Sequence, residues 1–195
     1  MQTVLRTTKR LVLRKFERAD LPALYSILKD EEVNTFLPWF PLQSLEQTEA
    51  FYKQHYLPLY EQGRGYAYAV CLKADNVPVG YVHVAPDGSF DLGYGLKKEF
   101  WRLGIMTEAC RAVVCQAKED GAAYLTATHD VNNPRSGAVM RRIGMRYRYT
   151  YRELVQPKNQ LVTFRLYQLN LDGREERVYQ KYWNASAVHF VEAGL

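Results

Sequence analysis

The chain has 195 residues, 47% of them hydrophobic and 24% charged, and 26 lysines and arginines against 21 acidic residues give a formal charge of +5. This length can bury one sizeable core, so a single domain over residues 1–195 is predicted. The mild basic excess suits a phosphate-bearing ligand but falls short of a nucleic-acid-binding signature, so nucleic acid is not expected as the primary ligand.

No stretch has the composition of a targeting or membrane segment. The N-terminal residues are basic but lack an uninterrupted apolar run, and no window approaches the ~18 apolar residues of a membrane span. Cys71, Cys110 and Cys115 lie in apolar-looking segments without C-x-x-C spacing, which predicts reduced core thiols. We therefore expect a cytoplasmic protein without a membrane partner.

Hydrophobic periodicity and turn residues predict elements in the order β-α-α-β-β-β-α-β-α-β-β. The first part comprises a strand at 10–14, a helix from an N-cap at Asp20 to about Lys29, the irregular segment FLPWFPL at 36–42 and a helix over about 45–61. Ser44 and Gln47 have capping-box spacing for that second helix, and Gly63 and Gly65 are predicted to end it.

The remaining chain predicts three strands, a helix–strand–helix unit and a hairpin. These elements are strands at 66–72, 77–84 and 89–96, a helix from EFWRLGIMTEA (99–109) to about 119, a strand at 122–128, a helix within NNPRSGAVMRRIGM (132–145), and strands at 145–151 and 161–169. Because strands flank a helix at 89–128, we expect a parallel crossover. The fold class is α/β, a mixed twisted sheet with helices on both faces, and the tail from Asp172 is expected to add an edge strand or helix.

The stretch WRLGIMTEA (101–109) has the features of an anion site. The first turn of a helix leaves backbone N–H groups unpaired, and the helix dipole favours an anion there. Gly104 would let a ligand approach the backbone closely, so a pyrophosphate would fit. An ordinary buried helix start is the alternative, and the absence of G-x-G-x-x-G and G-K-[ST] argues against a dinucleotide or nucleoside-triphosphate loop.

A second helix start follows at Asn133. This residue is a good N-cap, Pro134 suits the first helical position and Gly144 suits the position after the helix end, so capping alone explains the spacing. A functional interpretation places the Asn133 amide and the Ser136 hydroxyl at a helix N-terminus beside the first one. Open α/β sheets hold ligands at such a place.

Four stretches in order resemble the GNAT superfamily of N-acetyltransferases, within it the branch of ribosomal-protein N-terminal acetyltransferases. They are TKRLVLR (8–14) with DLPAL (20–24), LGYGL (92–96), Trp101 with Gly104 and Thr107-Glu108-Ala109, and Asn133 with Ser136 and Gly144-Met145. The resemblance covers roughly 8–170 and leaves 171–195 as a C-terminal extension. It implies a GNAT-like fold and transfer of an acetyl group from acetyl-CoA to a primary amine, either a protein N-terminus or a small molecule.

The same resemblance assigns coenzyme contacts. Backbone amides of one loop would bind the pyrophosphate, namely those of Arg102, Leu103, Gly104, Ile105, Met106 and Thr107. The strand ending at Leu96 and the side chain of Asn133 would contact the pantetheine arm. The family usually has Gly or Ala where Met106 stands, so this side chain either crowds the phosphates or turns into the core. No metal is expected.

Catalytic and acceptor-side roles also follow from the resemblance. Ser136 would protonate the leaving thiolate, with service to its own helix turn as the alternative, and Asp91 would act as a base through water, with a solvated surface carboxylate as the alternative. Backbone N–H groups around Leu92–Tyr94 would polarise the thioester carbonyl, and Tyr94 would also contact substrate. Trp39 would form a rigid acceptor wall or a hydrophobic plug beneath its loop.

Further alternatives stay open at this point. His83 and His129 titrate in the useful range for a base, with packing as the alternative, and many such enzymes need no dedicated base. A coenzyme-binding domain without transferase activity is the alternative function, favoured by Met106 and opposed by Ser136. The aromatic tail RVYQKYW (177–183) offers a contact surface for a homodimer.

Overall fold

The computed structural model describes residues 4–62 and 66–195. Within them the strands are β1 (Val4–Thr7), β2 (Leu11–Arg14), β3 (Tyr66–Leu72), β4 (Pro78–Val84), β5 (Leu92–Leu96), β6 (Tyr124–Asp130), β7 (Arg146–Val155), β8 (Gln160–Asn170) and β9 (His189–Phe190). The helices are α1 (Leu21–Leu28), α2 (Glu31–Asn34), α3 (Leu45–His55), α4 (Leu57–Gln62), α5 (Ile105–Glu119), α6 (Pro134–Arg142) and α7 (Lys181–Ala185). Gly63 and Gly65, predicted to end the second helix, lie outside the described residues.

Two antiparallel sheets meet along one short seam. The first has the strand order β1-β2-β3-β4-β5, and the second has the order β6-β8-β7-β9. Asp91, just before β5, forms a parallel bridge with Thr126 of β6, whose N–H donates to the Phe90 carbonyl at 3.1 Å. Beyond this bridge β5 pairs with β4 and β6 pairs with β8, so the two strands diverge. The predicted mixed α/β sheet with a parallel crossover is thus confirmed.

Helices cover both faces of the sheets because successive side chains on a strand point to opposite faces. On one face Val82 and Leu125 pack in a single cluster with Met106, Ala109 and Val113 of α5. On the other face α1 and α3 contribute to a second cluster, which contains Leu24, Ile27, Tyr52, Ala69 and Tyr81. None of the helices in the described part of the chain is long and apolar enough to cross a bilayer.

The first helix begins where predicted, with Asp20 at its N-cap position, but the Asp20 side chain does not cap it. Asp20 has helical backbone angles and makes no side-chain cap, because its carboxylate accepts hydrogen bonds from Arg14 Nη1 at 2.6 Å and Nη2 at 2.9 Å. The backbone N–H of Glu17 donates to the same carboxylate at 2.8 Å. Arg14 and Asp20 are only 2% and 8% exposed. The Asp20 side chain therefore forms a buried ion pair that ties β2 to the start of α1.

The predicted helix over 45–61 is two helices, which meet at Tyr56. Pro58 explains the break, since it has no backbone N–H with which to continue the hydrogen bonds of α3. The predicted cap of α3 is confirmed, because the Ser44 side chain accepts a hydrogen bond from the Gln47 backbone at 3.2 Å. The short elements β1 and α2 have no counterpart in the sequence prediction.

Boundaries around the predicted anion site also shift. The strand predicted from residue 89 begins at Leu92, because Phe90 adopts a left-handed φ of +48°. The helix predicted within 99–109 begins at Ile105, after a 3-10 turn at Lys98–Phe100 and the left-handed Gly104. The strand predicted at 122–128 lies two residues later, and the final hairpin is longer than predicted.

The C-terminal segment (171–195) provides both an edge strand and a helix. β9 pairs with β7, and Glu192 forms an ion pair with Arg165 of β8 at 2.6 Å. Tyr179, Tyr182 and Trp183 pack on Tyr149 and Tyr151 of β7. These three rings, predicted as a homodimer contact, are therefore used within their own chain, and dimerisation stays a prediction.

The three thiols do not share one environment. Cys71 and Cys110 are buried, as predicted, and burial raises the pKa of Cys71 to about 12. Cys115 is exposed, so the prediction of a core thiol is wrong there. It lies on the solvent face of α5, five residues after Cys110.

Candidate functional site

A cleft of 1690 Å³ opens where β5 and β6 diverge. The loop at 101–104 and the first turns of α5 and α6 line one side, and the segment after α2 and the β7–β8 hairpin line the other. All the predicted site residues line this single cleft, namely Trp39, Asp91, Tyr94, Leu96, Arg102, Leu103, Gly104, Ile105, Met106, Thr107, Asn133 and Ser136. Their roles stay predictions, but their convergence makes this cleft the candidate site.

The backbone edge of β5 faces the cleft. The Lys97 N–H donates to the Val79 carbonyl at 2.8 Å, and the Ala85 N–H donates to the Asp91 carbonyl at 2.9 Å. In an antiparallel ladder the bonded residues alternate, so the odd-numbered residues of β5 bond to β4. The N–H and C=O groups of Tyr94 and Leu96 consequently point away from β4, toward the opening.

The loop before α5 presents its backbone because two residues adopt left-handed conformations. Arg102 has a φ of +63° and Gly104 a φ of +74°. A Cβ added to Gly104 would meet only Arg10 Nη2, at 3.6 Å, so this backbone is open to a ligand. Ile105 and Met106 are 3% and 6% exposed and belong to the core. Met106 therefore turns inward and leaves the helix N-terminus clear.

Arg10 neutralises the carboxylate that lies closest to this helix start. Its Nη1 donates to the Leu103 carbonyl at 2.9 Å, and its Nε donates to Glu108 Oε2 at 2.7 Å. Partial burial raises the pKa of Glu108, but hydrogen bonds from Thr8 and Arg10 outweigh it and keep that pKa below its usual value. Because Glu108 is paired with Arg10, its charge does not oppose an anion at the start of α5.

Trp101 links the end of β5 to the second helix start. Its indole N–H donates to the Leu96 carbonyl at 2.8 Å, and the Arg135 guanidinium lies 5.1 Å from the centroid of its ring. The Leu96 carbonyl therefore already accepts a hydrogen bond, and the Leu96 N–H is the backbone group that is left for a ligand. Arg135 is a second cation beside the cleft that the sequence did not single out.

Asn133 and Ser136 make different contacts in the first turn of α6. The Asn133 side-chain oxygen accepts the Ser136 backbone N–H at 3.2 Å and so caps the helix. The Ser136 hydroxyl instead lies 2.9 Å from the Tyr94 hydroxyl, which donates to the Ser136 carbonyl at 2.8 Å. Burial raises the pKa of Tyr94, so its phenol stays protonated.

Asp91 is half-buried at the point where the strands part, which does not fit a fully solvated surface carboxylate. Burial raises its pKa to about 7, and the negative charges of Asp87 and Glu153 act in the same direction. Hydrogen bonding from Thr128 partly offsets both effects. A carboxylate with a pKa near neutrality can accept a proton from an amine and release it again.

The two histidines considered as bases are packed side chains. Burial, aided by the charge of His55, lowers the pKa of His83 to about 4, and its ring lies where a Cβ on Gly93 would approach within 2.3 Å. His129 is 4% exposed, and burial lowers its pKa. Its ring packs against Gly137 of α6. Both are weak bases at neutral pH, which favours Asp91.

Two segments form the far side of the cleft. The Trp39 indole N–H donates to Asn34 Oδ1 at 3.1 Å, and its ring packs edge-on against Phe51 at 5.4 Å. Trp39 thus both lines the cleft and anchors its loop, and its role as an acceptor wall stays a prediction. Lys158 in the β7–β8 hairpin donates to the carbonyls of Asn34 and Thr35, each at 3.2 Å. This contact joins the two segments.

Comparison with known proteins agrees with this geometry. The family model described as "Acetyltransferase (GNAT) domain" matches residues 10–146, more than half of the chain. A Bacillus subtilis (strain 168) protein described as "Uncharacterized N-acetyltransferase YnaD" is 24% identical over 158 residues, covering 79% of this chain and 89% of that protein.

Solved structures share the fold. A GNAT-family acetyltransferase from Bacillus anthracis superposes with a TM-score of 0.75 at 23% identity, covering 88% of this chain and 99% of that one. The structure described as RimL, a ribosomal L7/L12 alpha-N-protein acetyltransferase in complex with coenzyme A, superposes with a TM-score of 0.76 at 21% identity. It covers 87% of this chain and 98% of its own.

Proposed function

Because this chain belongs to the GNAT acetyltransferase family, we propose that it transfers the acetyl group of acetyl-CoA to a primary amine. The observation that carries the proposal is the free edge of β5 between two helix starts. The Tyr94 and Leu96 backbone groups face the cleft, which Gly104 and Asn133 also line. The structure with coenzyme A described as RimL supports this choice of donor.

The described residues fit the coenzyme in two places. Backbone N–H groups of 102–107 at the start of α5 would bind the pyrophosphate, because Gly104 leaves that surface open and Met106 turns away. Arg10 and Arg135 add positive charge on either side. The amides of the pantetheine arm would pair with the free edge of β5, and the Asn133 side chain would contact the same arm.

The chemistry divides between the two ends of the cleft. The Tyr94 backbone N–H would polarise the thioester carbonyl, and Asp91 would take a proton from the substrate ammonium, directly or through water, so that the neutral amine attacks. The neutral amine nitrogen then forms the new C–N bond while the C–S bond breaks, and the nitrogen releases its second proton to solvent to give the amide. Ser136 donates its hydroxyl proton to the leaving thiolate and regains one from solvent. Tyr94 holds that hydroxyl in place.

A coenzyme-binding module without transferase activity is the competing function. In the sequence, Met106 favours this alternative, because its side chain would crowd the phosphates if it pointed toward them. Burial of that side chain among Ala109 and Val82 removes this argument. The acceptor is either a protein N-terminus, as the likeness to RimL favours, or a small amine.

The test combines binding and turnover. Calorimetric titration with acetyl-CoA measures binding, and a free-thiol assay measures coenzyme A release with peptides that begin with serine or alanine and with small primary amines. We expect binding together with thiol release that depends on an amine. Binding without thiol release across the whole panel would establish the module instead, and absence of binding would contradict both functions.

A further inference from the structure

The acceptor side of the cleft gathers negative charge. Asp87 and Glu153 lie close enough to Asp91 to act on its ionisation. None of these three carboxylates takes part in an ion pair among residues 4–62 and 66–195. Two lysines are nearby, but Lys158 already donates to two backbone carbonyls and Lys181 acts on Asp87. Within the described residues, Asp91 and Glu153 therefore form no ion pair.

Glu153 belongs to a regular wall of this cleft. Cross-strand pairs of β7 and β8 line it, namely Tyr151 with Phe164, Glu153 with Val162, and Val155 with Gln160. Side chains two residues apart on a strand share a face, so Glu153 stands beside the Tyr151 ring on the face that lines the cleft. Its carboxylate is exposed at the rim, where a ligand can reach it.

Tyr182 reaches the same place from the C-terminal segment. Its ring stacks on Tyr151 with centroids 5.1 Å apart and an interplanar angle of 9°. Burial above all, and the nearby Asp91, raise the pKa of Tyr182, so it stays a neutral phenol. The residue lies beyond 10–146, the part of the chain that the family model covers. This chain thus adds an aromatic ring to the acceptor side from outside the family-matched region.

Tyr81 gives an independent indication of a ligand. Its side chain lines the cleft and is 2% exposed, and its hydroxyl has no hydrogen-bond partner in the described part of the chain. The ring lies over Gly95, where an added Cβ would be 2.5 Å away. A buried hydroxyl without a partner is costly, so a group entering the cleft gains by bonding to it.

We propose that the acceptor side is a subsite for a second positive charge, held by Glu153 and by the ring of Tyr182, which stacks on the buried Tyr151, while the reacting amine meets Asp91. The substrate class is an aliphatic amine with a further cationic group. Aromatic faces and carboxylates both attract a cation. This inference rests on the proposed acetyl transfer and makes Tyr182 and Glu153 specificity-determining residues.

The test compares 1,4-diaminobutane with butylamine, which has the same carbon chain and one charge. Thiol release with each amine gives kcat/KM for the wild type and for Glu153→Gln. At a pH well above the pKa of Asp91, where this carboxylate is ionised in both proteins, the variant should lose about fivefold with the diamine and less than about twofold with butylamine, because only the diamine uses the contact. The two amines differ in intrinsic reactivity, but this difference cancels when variants are compared.

Three further variants separate recognition from folding. Tyr182→Leu should reproduce the selective loss, whereas Tyr182→Phe, which keeps the ring, should retain the preference for the diamine. Glu175→Gln removes an exposed carboxylate that pairs with Arg146 away from the cleft, so it should change neither amine. Acetyl-CoA affinity should stay the same in all four.

The outcomes distinguish this inference from the function on which it rests. Equal losses with both amines in Glu153→Gln, or no loss, overturn the second-charge subsite while acetyl transfer stands. Thiol release with a peptide panel but with neither small amine also overturns it alone. Absence of thiol release with every acceptor overturns the proposed function itself.

Discussion

The Tyr94 hydroxyl lies 2.8 Å from the carbonyl oxygen of Ser136 and 2.9 Å from its hydroxyl oxygen, and so joins β5 to the first turn of α6 across the cleft. A phenol has one proton, and Tyr94 gives it to the carbonyl. The Ser136 hydroxyl proton is then free to go to the Tyr94 oxygen or to a group in the cleft. A held serine with a mobile proton fits the predicted donor to the thiolate.

Ser136→Ala should reduce kcat by about 100-fold, the lower end of the range for general acid catalysis. Affinity for acetyl-CoA should change less than about twofold, because the contacts assigned to the coenzyme are elsewhere. Stopped-flow thiol release and calorimetry measure the two quantities. Tyr94→Phe should give a smaller loss, since Ser136 keeps its proton but loses its support. An unchanged kcat in Ser136→Ala would show that the serine has only a structural role in the first turn of α6.

Gly104→Glu should weaken acetyl-CoA binding by more than about tenfold, because a carboxylate would stand at the anion site. Gly173→Glu is the matched control, since Gly173 has a similar left-handed φ of +82° against +74° and lies in open surroundings. Both variants bear the same backbone strain, so only a local effect separates them. Equal affinities in calorimetry would show that the start of α5 is not the pyrophosphate site.

The raised pKa of Asp91 predicts how kcat/KM depends on pH. The base must be deprotonated, and its pKa is about 7, so kcat/KM should rise through pH 7 and level off above it. Asp91→Asn should lower the plateau and remove this ionisation. A buffer series measured with one amine tests both statements. If the profile of Asp91→Asn keeps the same inflection, another group is the base.

The same raised pKa has the opposite consequence for stability. A carboxyl whose pKa rises from 3.8 to about 7 on folding binds protons more tightly in the folded state. Its ionisation therefore costs stability that increases as pH rises from about 4 to 7 and stays constant above. Asp91→Asn should match the wild type in denaturant midpoint near pH 4 and exceed it at pH 8. Parallel curves at all pH values would contradict the raised pKa.

The buried ion pair at the start of α1 should be important for folding. Asp20→Asn leaves the Arg14 charge without its partner in the core, which costs about 3–5 kcal/mol. The exposed pair of Arg18 and Glu49 provides the control, because Arg18→Gln should cost less than about 1 kcal/mol. Urea denaturation measures both values. Equal small losses would mean that water or another group replaces the lost contact.

Most elements of the fold could be predicted because they depend on local sequence patterns. Strand alternation, the Ser44 cap and the Asn133-Pro134 start each act within a few residues, so they are visible without tertiary structure. Asp20 occupies the predicted N-cap position, but its side chain does not cap the helix because Arg14, 6 positions earlier, competes for its carboxylate. Such competition depends on which side chains the fold buries together.

The part of the candidate site that depends on local motifs could also be predicted from the sequence. Gly104, Asn133 and Ser136 belong to short motifs, and the structure brings them together in one cleft. Tyr182 and Glu153 belong to no such motif. Glu153 lines the cleft because β7 pairs with β8, and Tyr182 reaches it because β9 pairs with the edge of β7 and the preceding helix packs on that strand. Only the assembled second sheet shows this.

The divergence of β5 from β6 leaves a short open strand edge between the two sheets. Such an edge can accept a further strand, and the two amides of a pantetheine arm are chemically a short peptide segment. In the proposed function the coenzyme would then act as a removable strand as well as a donor. Amide hydrogens of Tyr94 and Leu96 should exchange quickly with solvent in the free protein and slowly once this strand is in place.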